Sequence, residues 1–275
     1  MKYAINVPNF GAYADPRLMA EIAHDAELAG WDGFFVWDHI NAADQPGSPM
    51  ADPWVLLTAI ALATERVAIG TMVTPLPRRQ PWKLARETAT LDRLSNGRLI
   101  LGVGLGFPGS YEFEAFGEES DERVRGAKLD EGLAVLTGLW SGERFSFDGE
   151  YYQVADVEFA PSPVQRPRIP IWVAQMHPHT RPLKRAARWD GLVPMHETEM
   201  FPEPEHVAQA VELIRAQRPE RGAFDVCVPI VLPADRTGTV ERVAEYESAG
   251  ATWMQVGAWS VEALRDQVAQ GPPTG

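Results

Sequence analysis

Apolar residues follow two patterns in the middle of this chain. Val67–Val73 and Leu99–Leu105 are short, almost unbroken apolar runs, which is typical of strands buried on both faces. Between them, apolar side chains recur at helical spacing, at positions 84, 91 and 94. Pro81 suits the first turn of this helix, and Gly97 suits the left-handed residue that ends it. The segment therefore predicts one strand–helix–strand unit.

The same alternation extends along the whole chain. Helices are predicted to begin at Asp15-Pro16 and Asp52-Pro53 and to run near 121–140, 180–188, 204–217, 239–249 and 260–269. Eight strand–helix units in 275 residues fit an α/β fold of the (β/α)8 TIM-barrel type better than an open sheet. The predicted strands are Tyr3–Val7, Gly33–Trp37, Val67–Val73, Leu99–Leu105, Ile169–Ala174, Gly191–Pro194, Asp225–Val231 and Trp253–Val256.

One segment interrupts the alternation before the fifth strand. Arg144–Val154 predicts a β-hairpin with Asp148-Gly149 at its turn, which we interpret as a small insertion. No linker or low-complexity stretch divides the chain. We therefore expect a single domain over residues 1–270, followed by a disordered tail at 271–275.

Composition narrows the functional classes. The 25 basic and 38 acidic side chains give a net charge of −13, which disfavours nucleic-acid binding. The single cysteine, Cys227, lies in an apolar run and is expected to be buried and inert. The N-terminus begins with a strand pattern, and no apolar run approaches the roughly 20 residues of a membrane helix. A cytoplasmic protein without a membrane partner is the expectation.

Four segments resemble the luciferase-like monooxygenase superfamily, which contains flavin-dependent monooxygenases and F420-dependent reductases and dehydrogenases. The segments are Phe35–His39 (FVWDH), Gly70–Pro75 (GTMVTP), Leu91–Arg98 (LDRLSNGR) and Leu101–Gly106 (LGVGLG). Val164–Pro167 and Arg188–Gly191 extend the resemblance over nearly the whole chain. The motif at Leu91–Arg98 is fairly specific for this superfamily, but it says little about which reaction the protein catalyses.

The resemblance implies an oxidoreductase whose barrel holds FMN or the deazaflavin F420. The preferred function is a monooxygenase that uses reduced FMN and O2 on a small organic substrate, with a separate reductase supplying the reduced cofactor. The alternatives are hydride transfer with F420, a non-catalytic flavin-binding protein and, more weakly, a metal-dependent hydrolase. The resemblance also implies a homodimer through the second and third helices. It further implies a non-proline cis peptide at Thr71–Met72.

The candidate site residues lie at the carboxyl ends of the predicted strands, where such barrels carry their chemistry. His39 is the candidate catalytic residue, because an imidazole can donate to the cofactor or exchange a proton near neutral pH. Asp38 is expected to orient His39 or to contact the cofactor, with a turn cap as the alternative. The remaining residues expected around the cofactor ring are Asn6, Thr71, Met72, Val73, Thr74 and Gly104.

The cofactor phosphate is expected after the fifth strand, at the start of the next helix. The residues assigned to it are Gln175, Met176, His177, Thr180 and Arg181, although the family usually carries small residues where Gln175-Met176 stand. His177 and His179 are an alternative metal pair. No third ligand is evident near them in the sequence, so no metal is expected.

Other motifs leave alternatives open. Gly104–Gly109 matches G-x-G-x-x-G, but Pro108 and the residues after it do not open a helix, so a dinucleotide site is not expected. Phe107 stands where the F420-dependent sugar-phosphate dehydrogenases carry a catalytic Glu, which argues against their acid–base chemistry. Arg78 and Arg79 suit either an anionic ligand or surface carboxylates. His196, Glu197 and Glu199 read as a solvated loop or as part of a substrate pocket.

Overall fold

The computed structural model describes residues 1–41, 47–106, 111–198, 201–218, 222–231 and 236–273. Eight parallel strands close into a barrel. These strands are β1 (Lys2–Val7), β2 (Gly33–Val36), β3 (Ala68–Pro75), β4 (Leu99–Gly104), β7 (Ile171–His177), β8 (Gly191–His196), β9 (Asp225–Pro229) and β10 (Trp253–Val256). Their order around the barrel is β1-β10-β9-β8-β7-β4-β3-β2. The predicted TIM-barrel fold is confirmed.

Eight helices accompany the strands within the described residues. They are α1 (Pro16–Leu28), α2 (Pro53–Ala63), α3 (Pro81–Leu94), α4 (Glu122–Trp140), α5 (Arg181–Ala186), α6 (Pro204–Gln217), α7 (Arg236–Ser248) and α8 (Val261–Gln270). None of them is long and apolar enough to cross a bilayer.

The predicted helix boundaries have clear local causes. The carboxylate of Asp15 accepts hydrogen bonds from the first backbone N–H groups of α1, and Asp52 does the same for α2. After α3, Asn96 and Gly97 adopt φ values of 55° and 81°, the left-handed conformation that stops a helix. The signals at residues 15, 52 and 97 therefore act as predicted.

The strands differ from the predicted ranges mainly at their ends. The sixth strand ends at His196, two residues beyond the predicted end at Pro194. The fifth strand begins at Ile171 and ends at His177, whereas the prediction was Ile169–Ala174. The seventh ends at Pro229 rather than Val231, where proline has no N–H to continue the ladder. The extensions of β7 and β8 pair His177 with His196 across the sheet.

The inserted hairpin is present. The antiparallel strands β5 (Arg144–Asp148) and β6 (Gln153–Glu158) form a separate two-stranded sheet. Asp148-Gly149 begins the connection, as predicted, but the connection continues to residue 152. The backbone N–H groups of residues 150–152 donate to the carboxylate of Glu131 on α4, which fixes the hairpin to the barrel.

The family motif at Leu91–Arg98 is structural. The carboxylate of Asp92 is fully buried and accepts from the backbone of Val164 and Gln165, at 2.7 and 3.1 Å, and from Gln165 Nε2. Arg98 donates to the backbone oxygens of Ala61, Thr64 and Val67. The motif thereby ties α3 to the segment before β7 and ties the end of α2 to the start of β3.

Aromatic side chains fill the barrel below its open end. Trp172 and Trp253 cross edge to face with ring centroids 5.4 Å apart, and Phe35 lies 5.8 Å from Trp172. Cys227 is fully buried in the same cluster, and its burial raises its thiol pKa well above the ordinary range. The expected inert cysteine is therefore buried as predicted, and a ligand must bind above this layer, at the carboxyl ends of the strands.

Candidate active site

His39 is paired with a buried carboxylate that sequence analysis missed. Nδ1 of His39 lies 2.8 Å from Oε1 of Glu112, which also accepts the backbone N–H of Ile40 at 3.1 Å. Glu112 is 5% exposed, whereas the side chain of His39 is 27% exposed. The imidazole therefore lies between a buried acceptor and the mouth of the barrel.

The charges around Glu112 keep it ionised. Burial opposes ionisation, but the His39 hydrogen bond, the charges of His39 and Arg78 and the Ile40 N–H outweigh it, so the pKa of Glu112 is below its ordinary value of 4.5. An ionised carboxylate can only accept, so Nδ1 of His39 donates to it. Nε2 is then the ring nitrogen that can take up or release a proton at the mouth.

The backbone of His39 is fixed from the other side by Asn9. Oδ1 of Asn9 accepts the His39 N–H at 3.1 Å, and Nδ2 donates to the His39 carbonyl at 2.8 Å. The rings of Phe10 and Trp37 pack edge-on to the imidazole, with centroids 5.9 and 5.7 Å away. Backbone and side chain are both held in place, as proton transfer requires of a positioned group.

Asp38 does not orient His39. Its carboxylate is fully buried and receives two hydrogen bonds from Arg79, from Nε at 2.9 Å and from Nη2 at 2.6 Å. Oγ1 of Thr74 lies 2.9 Å from Oδ2 of Asp38. The Asp38 carboxylate is thus held by Arg79 and Thr74, whereas the imidazole of His39 pairs with Glu112. The expectation that Asp38 acts on His39 is wrong.

The two arginines of the third loop serve this buried carboxylate. Arg78 donates to the Asp38 carbonyl at 3.0 Å and lies 3.9 Å from Oε2 of Glu112. Its burial lowers its pKa in spite of both carboxylates, whereas the contacts with Asp38 raise the pKa of Arg79 in spite of burial. The sequence analysis expected these arginines to bind either an anionic ligand or carboxylates at the surface. They bind a buried carboxylate instead.

The third strand carries the expected irregularity, one residue later than predicted. The cis peptide is Met72–Val73, not Thr71–Met72. Thr71 stays in register with both neighbouring strands, opposite Val36 and Leu101, and the register shift lies between Thr71 and Thr74. Regular strand pairing thus continues through Thr71, and the cis peptide bond lies in the stretch where the register shifts.

Thr71 and Thr74 are turned into the protein rather than towards a ligand. Both are fully buried, their hydroxyl oxygens lie 2.9 Å apart, and Thr71 Oγ1 donates to the Gly102 carbonyl at 3.2 Å. Met72 belongs to the buried cluster inside the barrel, here called the inner cluster, and Val73 packs beside it. The other members of the inner cluster are Ala4, Phe35, Trp172, Val193, Cys227 and Trp253. A Cβ at Gly104 would lie 2.9 Å from Val73, so glycine permits the close approach of β4.

Asn6 offers a free acceptor in the barrel. Its Oδ1 is buried without a hydrogen-bond partner, as is Oε1 of Gln255 on the neighbouring strand β10. Strand alternation places Asn6 on the same face of β1 as Ala4, and Gln255 on the same face of β10 as Trp253. Ala4 and Trp253 both belong to the inner cluster. Two buried acceptors therefore face the interior near the carboxyl ends of their strands, where an unmet acceptor is costly unless a ligand donates to it.

The predicted phosphate segment presents fewer polar groups than expected. Gln175 is buried, and its Nε2 donates to the His179 carbonyl at 3.1 Å. Thr180 makes no capping hydrogen bond at the start of the six-residue helix α5. Met176 is half-buried, and Arg181 is exposed. The assignment of Gln175, Met176, Thr180 and Arg181 to the cofactor stays a prediction.

His177 instead meets two other histidines. Its ring stacks on those of His196 and His206, with centroids 5.3 and 4.3 Å away, and the rings of His196 and His206 are 4.7 Å apart. His179 is outside this group and lies 3.7 Å from Glu197. The premise that no third imidazole stands near His177 is therefore wrong, and His196 is not merely part of a solvated loop.

Glu112 and His206 were missed for the same reason. Each reaches its partner from a loop or a helix start, so neither strand order nor periodicity indicates the contact. The sequence indicated these contacts only through the residue types themselves, a Glu in the loop after β4 and a His in the first turn of α6. Phe107, on which the case against a catalytic Glu rested, and Glu199 are outside the described residues.

Comparison with known proteins agrees with the fold. Residues 1–257 match the family described as luciferase-like monooxygenase. Among solved structures, an F420-dependent secondary alcohol dehydrogenase in complex with an F420–acetone adduct aligns over 99% of this chain and 98% of its own, with a TM-score of 0.84 and 19% identity. A monooxygenase from Streptomyces bottropensis aligns over 98% and 96%, with a TM-score of 0.76 and 24% identity.

Curated relatives belong to both cofactor classes. An F420-dependent glucose-6-phosphate dehydrogenase of Amycolatopsis mediterranei is 36% identical over 62% of this chain and 50% of its own length. The oxygenase component of a flavin-dependent trigonelline monooxygenase of Acinetobacter baylyi is 32% identical over 59% and 44%. The chain thus spans about half the length of the curated relatives it matches.

Proposed function

Because the chain belongs to the luciferase-like monooxygenase family, we propose that this enzyme transfers a hydride between F420 and a small organic alcohol. The observation that carries the proposal is the 2.8 Å contact between His39 and the buried carboxylate of Glu112. Oxidation of an alcohol needs a base for the hydroxyl proton at the carbon that gives up the hydride. A neutral imidazole backed by a carboxylate is suited to that role.

His39 acts as the base in this proposal. Its Nε2 takes the hydroxyl proton as the C–H bond breaks, and the negative charge of Glu112 stabilises the imidazolium that forms. In the reverse direction the same imidazolium returns the proton to the carbonyl oxygen. Glu112 is a positioning residue, since it acts through His39.

The described residues suit a flat tricyclic ring. A buried acceptor of Asn6 or Gln255 can receive the N3–H, the one N–H donor on the pyrimidine edge of an oxidised deazaflavin or flavin. Met72 and Val73 offer an apolar backing, and Gly104 keeps that side of the barrel thin. When bound, F420 supplies the hydride acceptor, and the chain orients it and excludes water.

The choice of F420 over FMN draws on the relatives and on Glu112. Several curated relatives are F420-dependent glucose-6-phosphate dehydrogenases, and one of them, from Nakamurella multipartita, is 33% identical over 70% of this chain. Phe107 stands where those dehydrogenases carry a catalytic Glu, which argues against their acid–base chemistry, but Glu112 supplies a carboxylate to His39 from another position. The proposed substrate is a small hydroxyl compound without an anionic group, because Arg78 and Arg79 are engaged with Asp38 and are not free to bind one.

A second candidate is the monooxygenase that uses reduced FMN and O2, with a separate reductase as partner. The similarity to the trigonelline monooxygenase component favours it. In that reaction His39 would serve as a proton donor and hydrogen-bond partner. Asn6 and Gln255 do not distinguish the two cofactors, because both cofactors present the same pyrimidine edge.

Absorbance titration of the purified protein with F420 and with FMN tests the proposal, followed by anaerobic turnover with a panel of small primary and secondary alcohols. We expect tighter binding of F420 and alcohol-dependent bleaching of its absorbance without oxygen. Binding of FMN alone, with O2-dependent oxidation of an organic substrate by the reduced form, would establish the second candidate instead.

The proposal includes a homodimer through α2 and α3. Val55 and Leu62 on α2 are 58% and 71% exposed, and Trp82 and Leu94 on α3 are 43% and 42% exposed. Large apolar side chains exposed on two adjacent helices are typical of an interface.

A further inference from the structure

Half of the six histidines in the chain meet at one point. His177 ends β7, His196 ends β8, and His206 lies in the first turn of α6. One ring nitrogen from each can be chosen so that all three lie within 4.8 Å of one another. The three rings are half-buried, so the cluster is partly sheltered and still reachable from solvent.

The cluster lies outside the reaction mouth. Trp172 and Val193 point into the barrel, so alternation along β7 and β8 turns His177 and His196 to the opposite face, towards α6. His206 approaches them from that helix. The site of His39 and Glu112 faces the interior instead, so the histidine cluster is a separate feature of the rim.

The chemistry of the cluster favours a cation. The three rings stack with centroids 4.3 to 5.3 Å apart, so three positive charges there would repel one another strongly. The Thr198 N–H points to Nδ1 of His196 at 3.4 Å and the Glu203 N–H to Nδ1 of His206 at 3.3 Å, which places both nitrogens as acceptors. Neutral imidazoles supply lone pairs, which a metal ion needs and an anion does not.

We propose that His177, His196 and His206 form a binding site for a divalent transition-metal ion such as Zn²⁺, Co²⁺ or Ni²⁺. Three imidazoles are a common ligand set for these ions, and water or a further ligand completes the coordination. The site requires no residue of the His39–Glu112 pair.

The rings must move closer to hold an ion. Zinc–nitrogen bonds of about 2.0–2.1 Å bring the ligand nitrogens to about 3.3 Å from one another, compared with separations of up to 4.8 Å here. Side-chain rotation can supply that change. The hydrogen bonds from the Thr198 and Glu203 N–H groups to these rings are long, 3.4 Å at His196 and 3.3 Å at His206, so replacing these two bonds costs little.

A bound ion would join the ends of two barrel strands to the first turn of α6. It would fix the rim beside the segment 175–181 and stabilise the folded chain in proportion to its binding. The predicted role is therefore structural or regulatory, with the reaction carried out elsewhere in the barrel.

Metal-free protein, prepared by dialysis against a chelator, tests the site. We expect one Zn²⁺ per chain in equilibrium dialysis, a rise in Tm of about 5 °C at saturating Zn²⁺, and visible absorption bands from bound Co²⁺. His196→Ala and His206→Gln should each weaken binding more than about tenfold, since even changes outside the ligand shell have effects of that size. His24→Ala and His179→Ala are the matched controls and should bind as the parent does.

Three outcomes would overturn the proposal. One is a stoichiometry well below one ion per chain at micromolar Zn²⁺. Another is equal loss of binding in the two control variants, which would indicate scattered surface sites. The third is a rise in Tm with inorganic phosphate but not with Zn²⁺, which would make the cluster an anion site. Circular dichroism and the metal-free Tm of each variant separate loss of ligand from loss of fold.

Discussion

Nδ1 of His39 lies 2.8 Å from Oε1 of Glu112, although 73 residues separate them in the chain. The pair joins the loop after β2 to the loop after β4. It supplies the ionised partner that the proposed role of His39 as a base requires.

Glu112→Gln keeps the size of the side chain and removes its charge. Without the carboxylate, an imidazolium at His39 is less stable, so kcat/KM should fall about tenfold or more. The loss should appear in kcat rather than in KM. A merely structural role would lower protein yield or Tm and leave kcat per folded molecule unchanged.

The same variant has a signature in stability. The pKa of Glu112 is lowered in the folded protein, so its contribution is present above the unfolded value of 4.5 and is lost as pH falls through the folded value. Between about pH 5 and about pH 3, the wild type should therefore lose more stability than Glu112→Gln. Parallel losses, measured by denaturant unfolding, would contradict the assignment.

The Asp38–Arg79 pair is predicted to be a buried electrostatic anchor. Arg79→Met leaves a buried carboxylate partly unpaired and should cost about 3–5 kcal/mol, as should Asp38→Asn. The double variant should cost clearly less than the sum of the two. Arg265→Met, which breaks an exposed pair with Glu21, is the control and should cost no more than about 1 kcal/mol.

A double-variant cost equal to the sum would mean that Asp38 and Arg79 act independently. Denaturant unfolding at neutral pH measures the parent protein and all four variants.

Asp92→Asn tests whether the family motif is structural. The buried carboxylate accepts two backbone N–H groups and one amide, and an amide side chain cannot accept all three. The free energy of unfolding should fall by about 2–4 kcal/mol. Asp266→Asn, on the exposed face of α8, should change it by less than about 0.5 kcal/mol.

Activity per folded molecule should stay unchanged in Asp92→Asn, because the motif lies at the opposite end of β4 from the mouth. A selective loss of turnover without loss of stability would contradict the structural role.

The barrel could be predicted because its signals are local. Apolar runs without alternation, Pro16 and Pro53 after capping aspartates, and the left-handed Gly97 each act within a few residues. The hairpin at Asp148-Gly149 was predictable for the same reason. These features do not depend on which distant segments meet.

The site was less predictable because its contacts join distant loops. Asp38 stands next to His39 in the chain, yet its carboxylate binds Arg79 and Thr74, and His39 pairs with Glu112 instead. Three histidines at 177, 196 and 206 meet only because β7 and β8 each extend beyond their predicted ends. Such contacts between distant segments cannot be predicted from the spacing of residues along the chain.

The oligomeric state is tested by Leu62→Glu. A charge at this 71% exposed position of α2 should convert a dimer into a monomer in size-exclusion chromatography with light scattering. Leu213→Glu on α6, at a 44% exposed position, should leave the mass unchanged. A parent protein that is already monomeric would contradict the proposed interface.

The most direct test of the proposed chemistry is a comparison of His39→Asn with the parent protein in F420 binding and in anaerobic alcohol-dependent F420 reduction. We expect kcat/KM to fall about 10²–10⁴-fold while the Kd for F420 changes only a few-fold. His24→Ala should match the parent in both measurements. Undiminished reduction by His39→Asn would contradict the assignment of His39 as the base, and failure of the parent to bind F420 would contradict the proposed cofactor.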